Sequence, residues 1–139
     1  MLWAQKTISL LPKPKGIHLV TDEILNGVEL TAVRIGILHL HLLHTSAGIC
    51  LNEKASPEVR KDLGLWFEEE IPYSDQFLHK EEGFDDMPAH IKSALTNNQI
   101  SLSVKDSKIL LGTWQGIYLF EHRLIPTTRI VIHHFFGEN

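Results

Sequence analysis

The run Val33 to Leu43, Val-Arg-Ile-Gly-Ile-Leu-His-Leu-His-Leu-Leu, restricts the possible folds more than any other stretch of the chain. Side chains alternate sides along a strand, and here both alternating sets are apolar. Such a segment is predicted to be a central strand covered on both sides. His39 and His41 share one set with Val33, Ile35 and Ile37, so they are expected as buried, hydrogen-bonded imidazoles.

The surrounding pattern sets the class. A short strand over Ile49 to Leu51 runs into Asn52 and Glu53. Ser56 is then a good N-cap with Pro57 at the first helical position, Val59, Leu63, Trp66 and Phe67 share one helical face, and the helix should end by Pro72. A second helix is predicted from near Asp86 to about Leu95, with Asp85 or Asp86 as its cap and Pro88 in its first turn. Four β segments follow at Gln99 to Val104, Ile109 to Leu111, Ile117 to Leu124 and Arg129 to Phe136. Strands, two main helices, then strands indicate an α+β fold with a largely antiparallel, curved sheet. No repeat or linker interrupts residues 1–139, a length that suits one domain.

Charge and composition narrow the function. Thirteen basic residues against 17 acidic ones give a net charge of -4, which argues against a nucleic-acid partner. No apolar run is long enough to span a membrane, and Met1 to Lys6 lacks the order of a signal peptide, so a cytoplasmic protein is expected. The single cysteine, Cys50, excludes an intrachain disulfide and a cysteine-rich zinc site, and its apolar neighbours suggest a small buried hydrophobe. Nine histidines are the compositional oddity. An apolar sheet of this kind would want a partner subunit, so a homo-oligomer is expected.

The chemistry concentrates in His79 to His90, where two imidazoles bracket Glu81, Glu82, Asp85 and Asp86 around Gly83. Carboxylates gathered with neutral nitrogen donors suit a divalent cation or a proton-transfer site, whereas helix capping explains part of the same string. With Asp86 in the first helical turn, His90 lies four residues on and faces it. Imidazole donors favour zinc; a carboxylate-rich site that also holds phosphate oxygens would accept magnesium. In His44-Thr45-Ser46-Ala47, an imidazole and two hydroxyls at a strand end resemble an anion cradle, though local bonds from Thr45 and Ser46 to backbone explain them equally well. Glu53 is a candidate base beside Asn52, and Asp62 serves its helix dipole. Trp114 and Gln115, between Gly112 and Gly116, pair a flat apolar surface with an amide that suits a planar heterocycle; a tight hairpin is the commoner meaning. Glu121 is either functional or paired with Arg123 or Arg129.

Taken together, His44-Thr45-Ser46-Ala47, Asn52-Glu53, Asp62, Glu82-Gly83, Asp85-Asp86-Met87-Pro88-Ala89-His90, Leu111-Gly112-Thr113-Trp114-Gln115, Glu121 and Arg129 resemble the YjbQ family, also called UPF0047, over nearly the whole chain. The resemblance implies a homotrimer of small α+β subunits and an enzyme, a secondary thiamine-phosphate synthase of weak activity. That transferase joins hydroxymethylpyrimidine diphosphate to thiazole phosphate and releases pyrophosphate. It also implies a metal site at His44, His79 and His90. Around it, the expected roles are Glu53, Asp85 and Asp86 as base or supporting groups, Thr45, Ser46 and Arg129 on phosphate oxygens, Trp114 and Gln115 toward the pyrimidine, and Asn52 as a further substrate-binding residue. A metal-dependent hydrolase, with Glu53 or Asp86 as base, and a non-catalytic metal- or small-ligand-binding trimer are the rival expectations.

Overall fold

Eight strands build two antiparallel sheets, and the computed structural model describes residues 1–139. The chain runs through β1 (Leu2–Leu10), β2 (Gly16–Leu19), α1 (Thr21–Leu25), β3 (Ile35–Leu42), β4 (Ala47–Glu53), α2 (Pro57–Glu70), α3 (Asp86–Leu95), β5 (Gln99–Lys105), β6 (Lys108–Ile109), β7 (Gln115–Glu121) and β8 (Arg129–Glu138). The large sheet has the order β1-β8-β3-β5-β6, and the small one β2-β7-β4. Both main helices stand where the sequence places them, and β3 is central as expected.

Alternation explains the core. Leu38, Leu40 and Leu42 of β3, Leu102 and Val104 of β5, and Val131 and Phe135 of β8 point inward from the large sheet. They meet Ala47, Ile49, Ile117 and Leu119 of the small sheet in one apolar cluster, joined by Leu10, Val20 and Ile24. The two sheets are held together by that layer.

The two long helices, α2 and α3, cover the far side of the small sheet. Phe67 of α2 packs edge-on against Phe120 of β7 at 5.8 Å between ring centroids. The C-terminal end of α3 lies directly on β4, where a Cβ added at Gly48 would come within 2.0 Å of Thr96 Oγ1. This close approach needs glycine, and it fixes where the first turn of α3 falls.

The outer side of the large sheet has no such cover, which corrects the expectation of a strand enclosed on both sides. Ile35 and Ile37 are about half exposed, at 51 and 50%. His41 is exposed, and His39 is half-buried, with Nδ1 3.0 Å from Ser101 Oγ. The reason is an economy of elements: α2 and α3 are both spent on the small sheet. The apolar pattern of β3 therefore calls for a surface that this single chain does not supply.

Candidate metal centre

Between α2 and α3 the chain crosses the end of the small sheet, and Gly83 takes a positive φ of 108° that turns it toward α3. Asp85, the residue before the helix, does not cap it through its side chain. Its Oδ2 instead accepts the Leu124 amide at 2.8 Å and Arg123 Nε at 2.9 Å. Arg123 also donates through Nη1 to Asp86 Oδ1 and through Nη2 to the Glu82 carbonyl at 2.9 Å. One guanidinium thus ties the loop, the helix start and the exit of β7 together.

The buried Asp86 carboxylate is the hub. Its Oδ2 lies 2.5 Å from His79 Nε2 and 3.1 Å from His90 Nε2, the latter one helical turn along α3 as the four-residue spacing predicts. Glu82 Oε2 is 3.6 Å from His79 Nε2. One ligand atom from each of His79, Glu82, Asp86 and His90 lies within 4.8 Å of all the others. Two imidazoles and two carboxylates form a donor set that suits zinc or a similar ion.

The tautomer of His90 sharpens this fit. Its Nδ1 is 2.8 Å from the Thr45 carbonyl, which can only accept, so the ring proton sits on Nδ1. A neutral ring then turns the bare lone pair of Nε2 toward a carboxylate oxygen. Two acceptors at 3.1 Å repel each other unless positive charge joins them, either a second proton on the ring or a metal ion.

Electrostatics keep both aspartates ionised. Burial by itself would raise the Asp86 pKa, but its side-chain hydrogen bonds with His79 and Glu82 and the positive charge of Arg123 hold it below the usual range. Burial opposes ionisation of Asp85 as well, and the Leu124 amide and Arg123 outweigh it. Carboxyls held low are good ligands and anchors and poor bases.

His44, expected as the third metal ligand, belongs to a different centre. Its Nε2 is 2.8 Å from the Ile130 amide and its Nδ1 3.2 Å from Arg129 Nη1, so donors of the chain face both ring nitrogens. Burial first, and then the Arg129 charge, lower its pKa. Arg129 is likewise removed from its expected phosphate role: it grips Glu121 through Nε to Oε2 at 2.7 Å and Nη2 to Oε1 at 2.5 Å, donates to the Ser46 carbonyl at 3.2 Å, and is 3% exposed. The Glu121 partner left open by sequence is Arg129 for the ion pair, with the Arg123 amide as a third contact at 3.1 Å.

Thr45 and Ser46 line an open groove of about 410 Å³ with His41, Leu43, His44 and Asn98. They are beside the cluster, joined to it through the Thr45 carbonyl.

The remaining expected residues lie elsewhere. β4 and β7 pair with Ala47 opposite Glu121 and Glu53 opposite Gln115. Six residues of strand at about 3.3 Å each place Glu53, Asn52 and Gln115 roughly 20 Å from the cluster end. There Asn52 Oδ1 accepts the Glu53 amide at 2.7 Å, Gln115 Oε1 accepts the Gly112 amide at 2.8 Å, and Trp114 is exposed. Within one chain, therefore, Glu53 is no base for the cluster, and Asn52, Trp114 and Gln115 do not face it. Two members were not singled out from sequence. By sequence Glu82 is one carboxylate among four, although its three-residue spacing from His79 is a usable signal; Arg123 reads from sequence only as a possible partner for Glu121.

Comparison with known proteins places these features in a family. The family model described as UPF0047 protein YjbQ-like matches residues 6–138. The UPF0047 protein YjbQ of Escherichia coli O157:H7 is 46% identical over 138 residues, covering 99% of this chain and 100% of that protein. A UPF0047 protein of Synechocystis is 37% identical over 96% of this chain and 92% of its own length. Among solved structures, an uncharacterized conserved protein of the YjbQ/UPF0047 family from Clostridium acetobutylicum superposes with a TM-score of 0.79 at 29% identity, covering 91% of this chain and 97% of that one. A YbjQ-like protein of unknown function from Sulfolobus solfataricus shares the fold, with a TM-score of 0.85 at 22% identity over 99% of both chains.

Proposed function

Because the chain belongs to the YjbQ-like UPF0047 family, we propose that it is a metal-dependent transferase of the secondary thiamine-phosphate synthase kind, using the cluster at the start of α3. In that reaction a ring nitrogen of thiazole phosphate forms a bond to the pyrimidine methylene carbon. The bond from that carbon to the diphosphate oxygen breaks, and pyrophosphate leaves with the electron pair. His79, His90, Asp86 and Glu82 would hold a divalent ion, zinc by their nitrogen donors, with magnesium an alternative brought by the diphosphate. When bound, the ion supplies neutralising charge for the leaving diphosphate.

The chain's own groups supply the rest. Arg123 fixes Asp85 and Asp86, and the Thr45 carbonyl fixes His90. Thr45 and Ser46, which line the open groove, would bind phosphate oxygens. Leu78, Phe84, Leu124 and Ile125 are all exposed around the cluster, and they offer apolar surface for the heterocycles that Trp114 and Gln115 do not reach.

The observation that carries the proposal is the convergence of ligand atoms from His79, Glu82, Asp86 and His90, all within 4.8 Å of one another. The test is direct: metal-loaded protein given both precursors should form thiamine phosphate, and His90→Ala should abolish product. An unchanged rate in that variant would remove the cluster from the reaction. One observation favours a second reading, a metal- or small-ligand-binding protein without turnover: the residues expected to hold the pyrimidine sit at the opposite end of β4 and β7. Inert protein that keeps stoichiometric metal would support it. We also propose a homotrimer located in the cytoplasm; the uncovered side of the large sheet is the surface available for subunit contact, and sedimentation measures the number of copies. No helix is long and apolar enough to cross a membrane.

A further inference from the structure

Three of the nine histidines stand together on the uncovered side of the large sheet, and none of them belongs to the cluster at α3. In the antiparallel register of β3 and β8, His39 is directly opposite His134. His41 lies two residues along β3, and therefore on the same side. Directly opposed residues have Cβ atoms about 5 Å apart, and residues two apart on a strand are separated by roughly 7 Å. The three imidazoles are thus rooted in one small triangle on the two central strands of the sheet.

Two neighbours restrict the rings. Ser101 Oγ, 3.0 Å from His39 Nδ1, occupies one nitrogen and leaves Nε2 as the free donor atom. Trp3 flanks His134 with ring centroids 5.5 Å apart. The side chains that share this part of the sheet are Gln5, Thr7, Gln99, Ser101 and Ile132, none of them ionisable. The triangle therefore offers nitrogen and no carboxylate.

We propose that His39, His41 and His134 form a second metal site, one that takes borderline transition ions such as zinc or cobalt(II) and refuses magnesium and calcium. Three imidazoles with an open fourth position are a known way of holding such ions, whereas hard cations need oxygen donors. Unlike the first cluster, the ring nitrogens do not already lie within 4.8 Å of one another. The strands fix the Cβ positions, so rotation about side-chain torsions suffices to converge them. The two sites share no residue, and all three donors come from one chain, so the proposal does not depend on the first centre.

The test uses cobalt(II), whose visible absorption reports nitrogen ligation. Full-length protein is refolded with excess ion, so that subunit contacts do not gate entry, then desalted and its ions counted per chain. Wild type should hold two. His79→Ala with His90→Ala should leave one, His39→Ala with His134→Ala should leave one, and the four changes together none. His41→Ala, at an exposed position that should keep the circular dichroism of the native fold, should weaken binding at the sheet site by at least about 10-fold. Excess magnesium should not displace the ion there. The proposal fails if folded His39→Ala/His134→Ala protein keeps as many ions as wild type, or if His79→Ala/His90→Ala protein holds none. A wild type holding one ion that only the His39 and His134 changes remove would instead sink the first centre and leave this one standing.

Discussion

Two arginines six positions apart organise two centres of opposite character. Arg129 and Glu121 are sealed: their side chains are 4 and 0% exposed, and their main partners are each other, with His44 and the Ser46 carbonyl completing the arginine's contacts. Arg123 joins Asp85 and Asp86 at a rim where His79 and His90 remain 46 and 30% exposed. Both centres hold charge against a desolvation cost. The sealed one spends its charges on each other at the end of the small sheet, and the open one keeps ligand atoms facing a common point. A charged cluster invites a functional reading only when its partners are not already exhausted within the chain.

The largest expected effect falls on the sealed side. Glu121→Ala would leave the Arg129 guanidinium buried without its counter-charge, which typically costs about 3–5 kcal/mol. Urea unfolding should show a strongly lowered midpoint, or no folded protein at all. A loss under about 1 kcal/mol would mean that water reaches Arg129, and the contrast between the centres would collapse. Asp86→Asn on the open side should act differently. It removes the carboxylate that both imidazoles face, and zinc affinity measured by competition with a chelator should drop by at least ~100-fold. If zinc binding survives that change, His79 and His90 are held together for structure alone.

His122 immediately precedes Arg123 in sequence and offers a pH-dependent test. Burial, reinforced by the charges of Lys92, Arg129 and Lys15, pushes its pKa down to about 3 from an ordinary 6.5. The unfolded chain therefore takes up the proton first as pH falls. The stability contributed by the neutral folded ring is complete above about pH 6.5 and is lost at up to ~1.4 kcal/mol per pH unit as pH falls toward 3. Burial lowers the pKa of His44 and His133 too, and both add to the loss in the same direction. His122→Leu should flatten the slope of unfolding free energy between pH 6.5 and 5 by roughly 1 kcal/mol per unit. An unaltered slope would show that His122 is already protonated in the folded protein.

What could be read from sequence follows the range of the interactions involved. The bounds of α3 and the pairing of Asp86 with His90 were legible because helical spacing is local: four residues make one turn. The strands of the C-terminal half were legible for the same reason, through alternation. The assignment of His44 was not, since its partners Arg129 and Ile130 lie more than 80 residues away and are brought there by β8 entering the large sheet. Nor could alternation decide whether Arg123 or Arg129 meets Glu121. That choice depends on the loop after β7, where Arg123 turns to Asp85 and Asp86. Outer-face exposure of His39 and His41 was hidden because an apolar residue awaiting cover reads the same as one already covered.

The smallest expected effect tests the geometry that separates the open centre from its supposed helpers. His44-Thr45-Ser46 and Asn52-Glu53 are close in the chain, yet β4 runs between them, and adjacency in sequence became a strand's length in space. Glu53 pairs by register with Gln115, and its carbonyl accepts the Tyr118 hydroxyl at 2.6 Å. Glu53→Gln keeps that carbonyl and alters only a side chain about 20 Å from Asp86. Zinc affinity should therefore change less than about 2-fold, since a single half-buried charge at that distance lies beyond the screening length of physiological salt. A clear loss of zinc in Glu53→Gln would require the carboxylate of one copy to reach the open centre of another, and the comparison between the two arginines would then have to be drawn across subunits rather than within one.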